Sequence, residues 1–210
     1  MKTDDLIEAL AAGIEPVGPA RLSPLMIAGA LSVAVTAVVV LLGVLPDLAE
    51  VVRGPVFWVK AAYTGALAVA SLWLVTRLGR PGTAIGLAGW SIAAIVGLAG
   101  VVAAIELVLL PPEARVDDLM GFTWKVCALN ILRVSAFTAP LIFLAARRLA
   151  PTRPMQAGAA AGLLTGAIAA TAYGLHCPEA TAAFVAVWYT LGMAGAAAIG
   201  AVIGRFALRW

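Results

Sequence analysis

The chain has 210 residues, of which 63% are hydrophobic and only 12% charged, with a formal net charge of +3. A water-soluble domain carries about 25% charged residues, so this composition, with a mean hydropathy of +1.03, excludes that class and indicates an integral membrane protein. The basic residues are scattered around apolar runs, which argues against a nucleic-acid surface, and two cysteines provide neither a disulfide framework nor zinc-finger spacing.

The chain opens with "MKTDDLIEALAAGIEPVGPARLSP". Thr3 is suited to cap a helix, with Asp4, Asp5 and Glu8 in the first turns, where the helix dipole favours acids. Leu6, Ile7, Leu10 and Ile14 fall near one side, and Gly13 with Pro16 ends the pattern. Residues 1–24 therefore read as a short amphipathic helix with an acidic opposite face. A helix resting on a bilayer carries lysine and arginine there instead. A basic protein partner suits this one; a leader helix folded against the inner loops is the alternative.

A membrane span needs about 20 apolar residues to cross about 30 Å of hydrocarbon. Six runs within 25–210 qualify, at about 25–45, 57–75, 85–110, 126–146, 155–175 and 184–203. The first is expected to persist as a helix, being longer than a signal-peptide core and following a segment with four acids. The predicted fold is all-α and polytopic: six transmembrane helices in three antiparallel hairpins, preceded by a cytoplasmic amphipathic helix. Trp58, Trp124 and Trp188 recur near the starts of spans two, four and six. They read either as an interfacial aromatic belt or as the mark of a repeated hairpin.

Orientation follows from the lysines and arginines. Lys2, Arg21, Arg77, Arg80, Arg147, Arg148, Arg153, Arg205 and Arg209 make nine on one side; Arg53, Lys60, Arg115 and Lys125 make four on the other. The excess places both termini in the cytoplasm, and turns Cys127 and the "HCPE" loop outward.

Within the spans, Glu106 and Arg133 are ionisable groups that need partners, and an intramembrane ion pair between them, with Asn130 nearby, is expected. A polar path for an ion or proton is the competing reading. Spans five and six carry small-residue stripes, Gly158–Gly162–Gly166 and Gly192–Ala196–Gly200–Gly204. Such stripes serve either close packing within the chain or contact with a second copy.

Cys127 and Cys177 carry the distinctive chemistry. Lys125 precedes the first by two residues and His176 adjoins the second, and a neighbouring cation lowers a thiol's pKa. A soft metal would be held by Cys127, Cys177 and His176, with Glu179 as a fourth ligand. Oxidation would instead join the two sulfurs. A structural disulfide stands level with sensing on the residues alone.

The start "MKTDDLIEAL", the six spans, "FWVK" and "FTWKVC" at helix starts, and "HCPE" before the last span resemble the NrsF family. These are bacterial inner-membrane anti-sigma factors paired with extracytoplasmic-function sigma factors. The likeness covers essentially the whole chain and is most specific at the start and at "HCPE". It implies that Thr3, Asp4, Asp5, Leu6, Ile7 and Leu10 bind the sigma factor, with inner-loop Arg77, Arg80 and Arg147 contributing. It also implies that Cys127 and Cys177 are the family's functional pair and that heavy metal or oxidant acting on them releases the sigma factor. No cofactor is required beyond regulatory soft-metal binding at that pair, and a homo-oligomer is compatible with the stripes. The alternative is a small metal or thiol transporter. No nucleophile–base set or C-x-x-C pair is present, so the chain reads as a non-enzyme.

Overall fold

Pro24, Pro55, Pro112 and Pro154 each stand in the first turn of a helix. There the missing N–H removes no intrahelical bond, and the fixed φ already suits the helix. The computed structural model describes residues 3–12, 22–149 and 151–209. In chain order the helices are α1 (Thr3–Ala11), α2 (Pro24–Leu41), α3 (Leu48–Val51), α4 (Pro55–Leu78) and α5 (Gly86–Leu109). Then come α6 (Pro112–Met120), α7 (Trp124–Arg147), α8 (Pro154–Tyr173), α9 (Ala182–Phe184), a π-helical turn (Val185–Tyr189) and α10 (Thr190–Ala207). No strand occurs among the described residues, and six helical stretches are long and apolar enough to cross a membrane. The all-α, six-span architecture is as composition predicted.

The boundaries shift for local reasons. α2 stops at Leu41 rather than 45, because Gly43 turns the backbone at φ 83 and Leu45 N–H then bonds Leu175 O at 3.1 Å. α6 was not foreseen. Its Pro112 start and its stop at Gly121 (φ 56) hold one short amphipathic stretch between two spans. α1 begins at Thr3 itself, with Asp4 and Asp5 in its first turn. The expected stop at Gly13 and Pro16 lies outside the described residues, as do Lys2, Ile14, Arg21 and the side chain of Leu10.

α8 is the axis of the bundle. Fourteen of its 20 residues are buried, and α10, α4, α7 and α2 all pack on it. α5 lies at the edge, with only Ala88 and Ala103 buried, against α4 and the start of the last span. Connectivity makes successive spans antiparallel, but close packing along the chain is tightest for α8 with α10; α2 lies mainly on α7. Side-chain size explains this. An alanine- and glycine-rich α8 lets several helices approach one line, where dispersion contacts replace what lipid cannot provide. Gly158, Gly162 and Gly166 face Ala196, Gly200 and Gly204 directly. The stripes thus serve packing within the chain.

The tryptophans mark one end of the bundle. Trp58 donates Nε1–H to Val52 O at 2.9 Å, Trp188 to Leu119 O at 2.9 Å, and Trp124 packs on Trp188 with ring centroids 5.4 Å apart. Indoles bonded to carbonyls at the ends of the short helices α3 and α6 fit a membrane–water boundary.

Candidate functional site

That same end brings together the first turns of α4 and α7, the last turn of α8 and the loop leading to α9. Cys127, one turn into α7, and Cys177, just past α8, are both 0% exposed. Both are free thiols, and their sulfurs lie within hydrogen-bonding reach, with Cys127 donating to Cys177. Two residues distant in sequence form one buried pair.

Three side chains fix the loop that carries Cys177. Lys60 is buried, and its Nζ donates to Cys177 O at 3.1 Å and to Glu179 O at 2.6 Å. Glu179 is buried too; its Oε1 accepts from Phe122 N (2.8 Å), Thr123 N (2.8 Å) and Thr123 Oγ1 (2.9 Å). A carboxylate answering the free N–H groups at the start of α7 is well matched to that helix end. Gly121 leaves room for it, since a Cβ there would lie 2.7 Å from Glu179 Cδ. Thr181 completes the loop by donating to Asp118 O at 2.9 Å and accepting from Phe184 N at 3.3 Å. One short loop therefore couples α4, through Lys60, to α7, through Glu179.

Two tyrosines close the pocket around the sulfurs. Tyr173 ends α8, and Tyr189 ends the π-helical turn; both are 0% exposed, with ring centroids 5.8 Å apart. The Tyr173 hydroxyl faces Cys127 and the Tyr189 hydroxyl faces Cys177, yet neither makes a hydrogen bond of normal geometry. A π-turn inserts an extra residue and re-aims the side chains that follow, a distortion frequent at functional sites.

The Cys177 thiol, in the loop, is pushed down to about 6. The hydrogen bond from Cys127 is the main cause; Tyr189, the Glu179 N–H and the Lys60 charge also lower it, while burial opposes them. Cys177 is therefore the sulfur that ionises first, and the thiolate is the reactive and metal-binding form.

Of the residues singled out by sequence, Cys127 and Cys177 meet, while others are engaged elsewhere. His176 donates Nδ1–H to Gly43 O at 3.2 Å and stacks 5.6 Å from the Tyr173 ring. Glu179 is held by α7, and Lys125 lies exposed over the Trp124 ring at 5.5 Å. Among the described residues, no three of His, Cys, Asp and Glu group to hold a metal. The expected four-ligand set with His176 and Glu179 is thus not formed, because each of those side chains satisfies a backbone group instead.

The expected Glu106–Arg133 pair is also corrected. Glu106 Oε2 accepts from Ala183 N at 2.7 Å, at the start of the last span, and Arg133 Nη1 donates to Asn130 Oδ1 at 3.0 Å. Each finds a nearer partner than the other, one across to the last span and one within its own helix.

Lys60 enters the sequence reading only as one of the four outward-side charges, not as a site residue. Its signal was present: a lysine inside the apolar stretch "FWVKAAYTG", four residues before Thr64 on the same helical face. Replacing Lys60 with methionine leaves the carbonyls of Cys177 and Glu179 without this donor, at a cost of about 1–3 kcal/mol. On heating in detergent, the buried thiols of that variant should react with a maleimide at a lower temperature than those of the wild type; an unchanged temperature would show that the ammonium does not hold the loop.

Comparison with known proteins adds to this geometry. The family described as NrsF, negative regulator of sigma F, matches residues 10–210. The anti-sigma-F factor NrsF of Caulobacter vibrioides is 46% identical over 219 residues, covering 100% of both chains. The probable anti-sigma-F factor NrsF of Azospira oryzae is 41% identical over 217 residues, again with 100% of both chains covered. No solved structure matches the chain.

Proposed function

The chain belongs to the NrsF family of negative regulators of sigma F, and from that premise we propose that it holds an extracytoplasmic-function sigma factor inactive at the inner membrane. Both termini lie on the cytoplasmic side in this reading, as the distribution of arginine and lysine favours. α1 supplies the first contact with the sigma factor. Its Leu6 and Ile7 are 42% and 60% exposed, beside Asp4 and Asp5. Apolar anchors flanked by acids suit a groove with a basic rim.

The signal arrives at the other end, at the thiol pair, by heavy metal or oxidant. The observation that carries this is the meeting of Cys127, in α7, with Cys177, in the loop tied to both α4 and α7, as free, fully buried thiols. A new bond at the sulfurs changes the geometry of that loop, and Lys60 and Glu179 pass the change to two helices at once. Those helices pack on α8, so their inner ends shift relative to the surface offered to the sigma factor. A signal favours one arrangement by its differential binding energy, and about 1.4 kcal/mol shifts the balance tenfold.

The transporter alternative needs polar groups facing a shared cavity. A cavity of about 550 Å³ between α4, α5 and the start of the last span is lined mostly by apolar side chains. Its two charged residues, Lys60 and Glu106, are bonded to backbone groups. Regulation fits this better than transport.

The test is affinity capture in detergent from cells of the source bacterium. The wild type should bring down a sigma factor; the double variant Leu6→Asp, Ile7→Asp should lose at least about 90% of it, as expected when two interface anchors worth about 1–2 kcal/mol each are removed. Undiminished capture by the variant moves the binding surface to the inner loops, and no sigma factor with either protein defeats the proposal.

A further inference from the structure

We infer that the cavity between α4, α5 and the start of the last span is a site for a phospholipid with a primary ammonium head. One acyl chain lies in the cavity, and the ammonium rests on Glu106 and Asp118. This is a second site, and it does not depend on the reading of the thiol pair.

Small side chains create the cavity. Ala62 and Ala66 of α4, Ala99 of α5 and Ala186 of the π-helical turn line it, and none is long enough to fill the space between the helices. Its volume of about 550 Å³ falls within the range of about 300–1,000 Å³ for sites that take a small molecule. Val59 and Leu98 also line it and are 64% and 66% exposed, so it opens sideways toward lipid. Along α5 the lining runs from Glu106 to Ile95, about 16 Å at 1.5 Å per residue. That is roughly half of a 30 Å hydrocarbon core, the depth occupied by the acyl chain of one leaflet. A chain in this slot supplies dispersion contacts to α5, which buries only Ala88 and Ala103 against the protein.

The two ends of the slot differ in charge. Its deep end, around Ala66 and Ile95, is apolar, whereas Lys60 and Glu106 line the end beside the thiol loop. Thr181 lines that end too, and its bond to Asp118 O at 2.9 Å places Asp118 at the rim. With Glu179, three carboxylates meet one ammonium here. Glu179 is answered by three donors at the start of α7, and Lys60 is turned to Cys177 O and Glu179 O. Arg115, the cation of α6, is turned to Leu110 O at 3.1 Å and Val108 O at 3.4 Å. Glu106 and Asp118 make no ion pair among the described residues.

These two acids specify the head. Asp118 Oδ2 is buried without a hydrogen-bond partner, which calls for a donor. Burial, and then the Glu106 charge, push the Asp118 carboxyl above its ordinary range, so a cation between them relieves both acids. Glu106 spends Oε2 on Ala183 N, and a carboxylate has further acceptor sites to offer. A primary ammonium brings a positive charge and three N–H donors. A choline head brings the charge without a donor. A glycerol head brings hydroxyls on a lipid that is negative overall. Ethanolamine meets both demands.

The experiment uses the full-length chain, purified in mild detergent, stripped of lipid and offered dioleoyl phosphatidylethanolamine, phosphatidylcholine or phosphatidylglycerol. Bound lipid is counted by native mass spectrometry. The expected result is one ethanolamine lipid per chain, held about tenfold more tightly than either other lipid, the effect of one hydrogen bond to a charged group. Glu106→Gln with Asp118→Asn keeps both shapes, removes both charges and should abolish the preference. Ala66→Leu with Ala99→Leu fills the slot and should abolish retention of all the lipids, without lowering the temperature at which the buried thiols react with a maleimide. Equal retention of the three lipids by the wild type would mean unselective surface lipid and overturns the inference. So does an unchanged preference in the charge variant, or unchanged retention in the filled variant. Recovery of an isoprenoid quinone in place of phospholipid from the chain before stripping overturns it as well. The wild-type comparison decides even if a variant folds poorly. No sigma factor takes part, so either result leaves the anti-sigma reading to its own test.

Discussion

Leucine in place of Gly162 is expected to prevent α8 and α10 from packing and to unfold the bundle in detergent under conditions where the wild type is intact. A Cβ at Gly162 would lie 2.9 Å from Gly200 Cα, and one at Gly200 would lie 2.7 Å from Gly162 Cα. These neighbours are backbone atoms, so no side-chain rotation relieves the contact; the helices themselves must separate. Overpacking a core costs about 1–3 kcal/mol where side chains can yield, and the cost here should exceed that range. Even Gly162→Ala should destabilise. Leucine at Gly100, in α5, is the control, because a Cβ there meets nothing within 4 Å. The measurement is the temperature at which Cys127 and Cys177, both 0% exposed, become reactive to a fluorogenic maleimide. Equal temperatures for Gly162→Leu and Gly100→Leu would show that the glycine faces do not set the helix spacing.

The second large effect is on signalling. Serine at both Cys127 and Cys177 should leave sigma capture intact and abolish release by metal or oxidant. Serine keeps nearly the same shape, and the Lys60 and Glu179 bonds that fix the loop use the backbone of residues 177 and 179 and the Glu179 carboxylate, not the sulfurs. The folded state should therefore survive. What disappears is the pair of sulfurs, one in α7 and one in this loop, able to form a sulfur–metal or sulfur–sulfur bond. Each single variant should fail as well, since a link between α7 and the loop needs both ends. Release is read as sigma factor remaining on the captured protein after treatment. Release from the double variant at the wild-type dose would make the thiols structural and place the sensor elsewhere.

The two effects belong to different parts of one design. The glycine contact between α8 and α10 is made by backbone atoms, and the loop that carries Cys177 ties α4 to α7 through Lys60 and Glu179; in the proposed signalling, α4 and α7 are the helices that shift against that contact. A bundle whose central helix is held through backbone contact has little freedom there.

Much of the fold was written in composition. Long apolar runs cannot be soluble, and in hydrocarbon each must satisfy its own backbone as a helix, so the number of spans and their approximate ends followed without any contact being known. The small-residue stripes were equally legible because they lie along a single face of each helix. The same holds for the two cysteines as candidates, since a thiol is conspicuous in so inert a chain.

Partnership was not legible. Sequence placed Glu106 opposite Arg133 and gathered His176 and Glu179 around a metal, because charge and ligand type suggest partners but do not measure distance. Tertiary structure supplied backbone groups that were nearer: Ala183 N for Glu106, Gly43 O for His176, and the start of α7 for Glu179. It also made Lys60 a buried cation of the site, and brought the Tyr173 and Tyr189 hydroxyls toward the sulfurs. The physical reason is common to Glu106, His176, Glu179 and Lys60: in a medium without water, an unpaired group of this kind costs several kcal/mol, so each takes a satisfactory partner within reach, and only the packing of helices decides which partner that is.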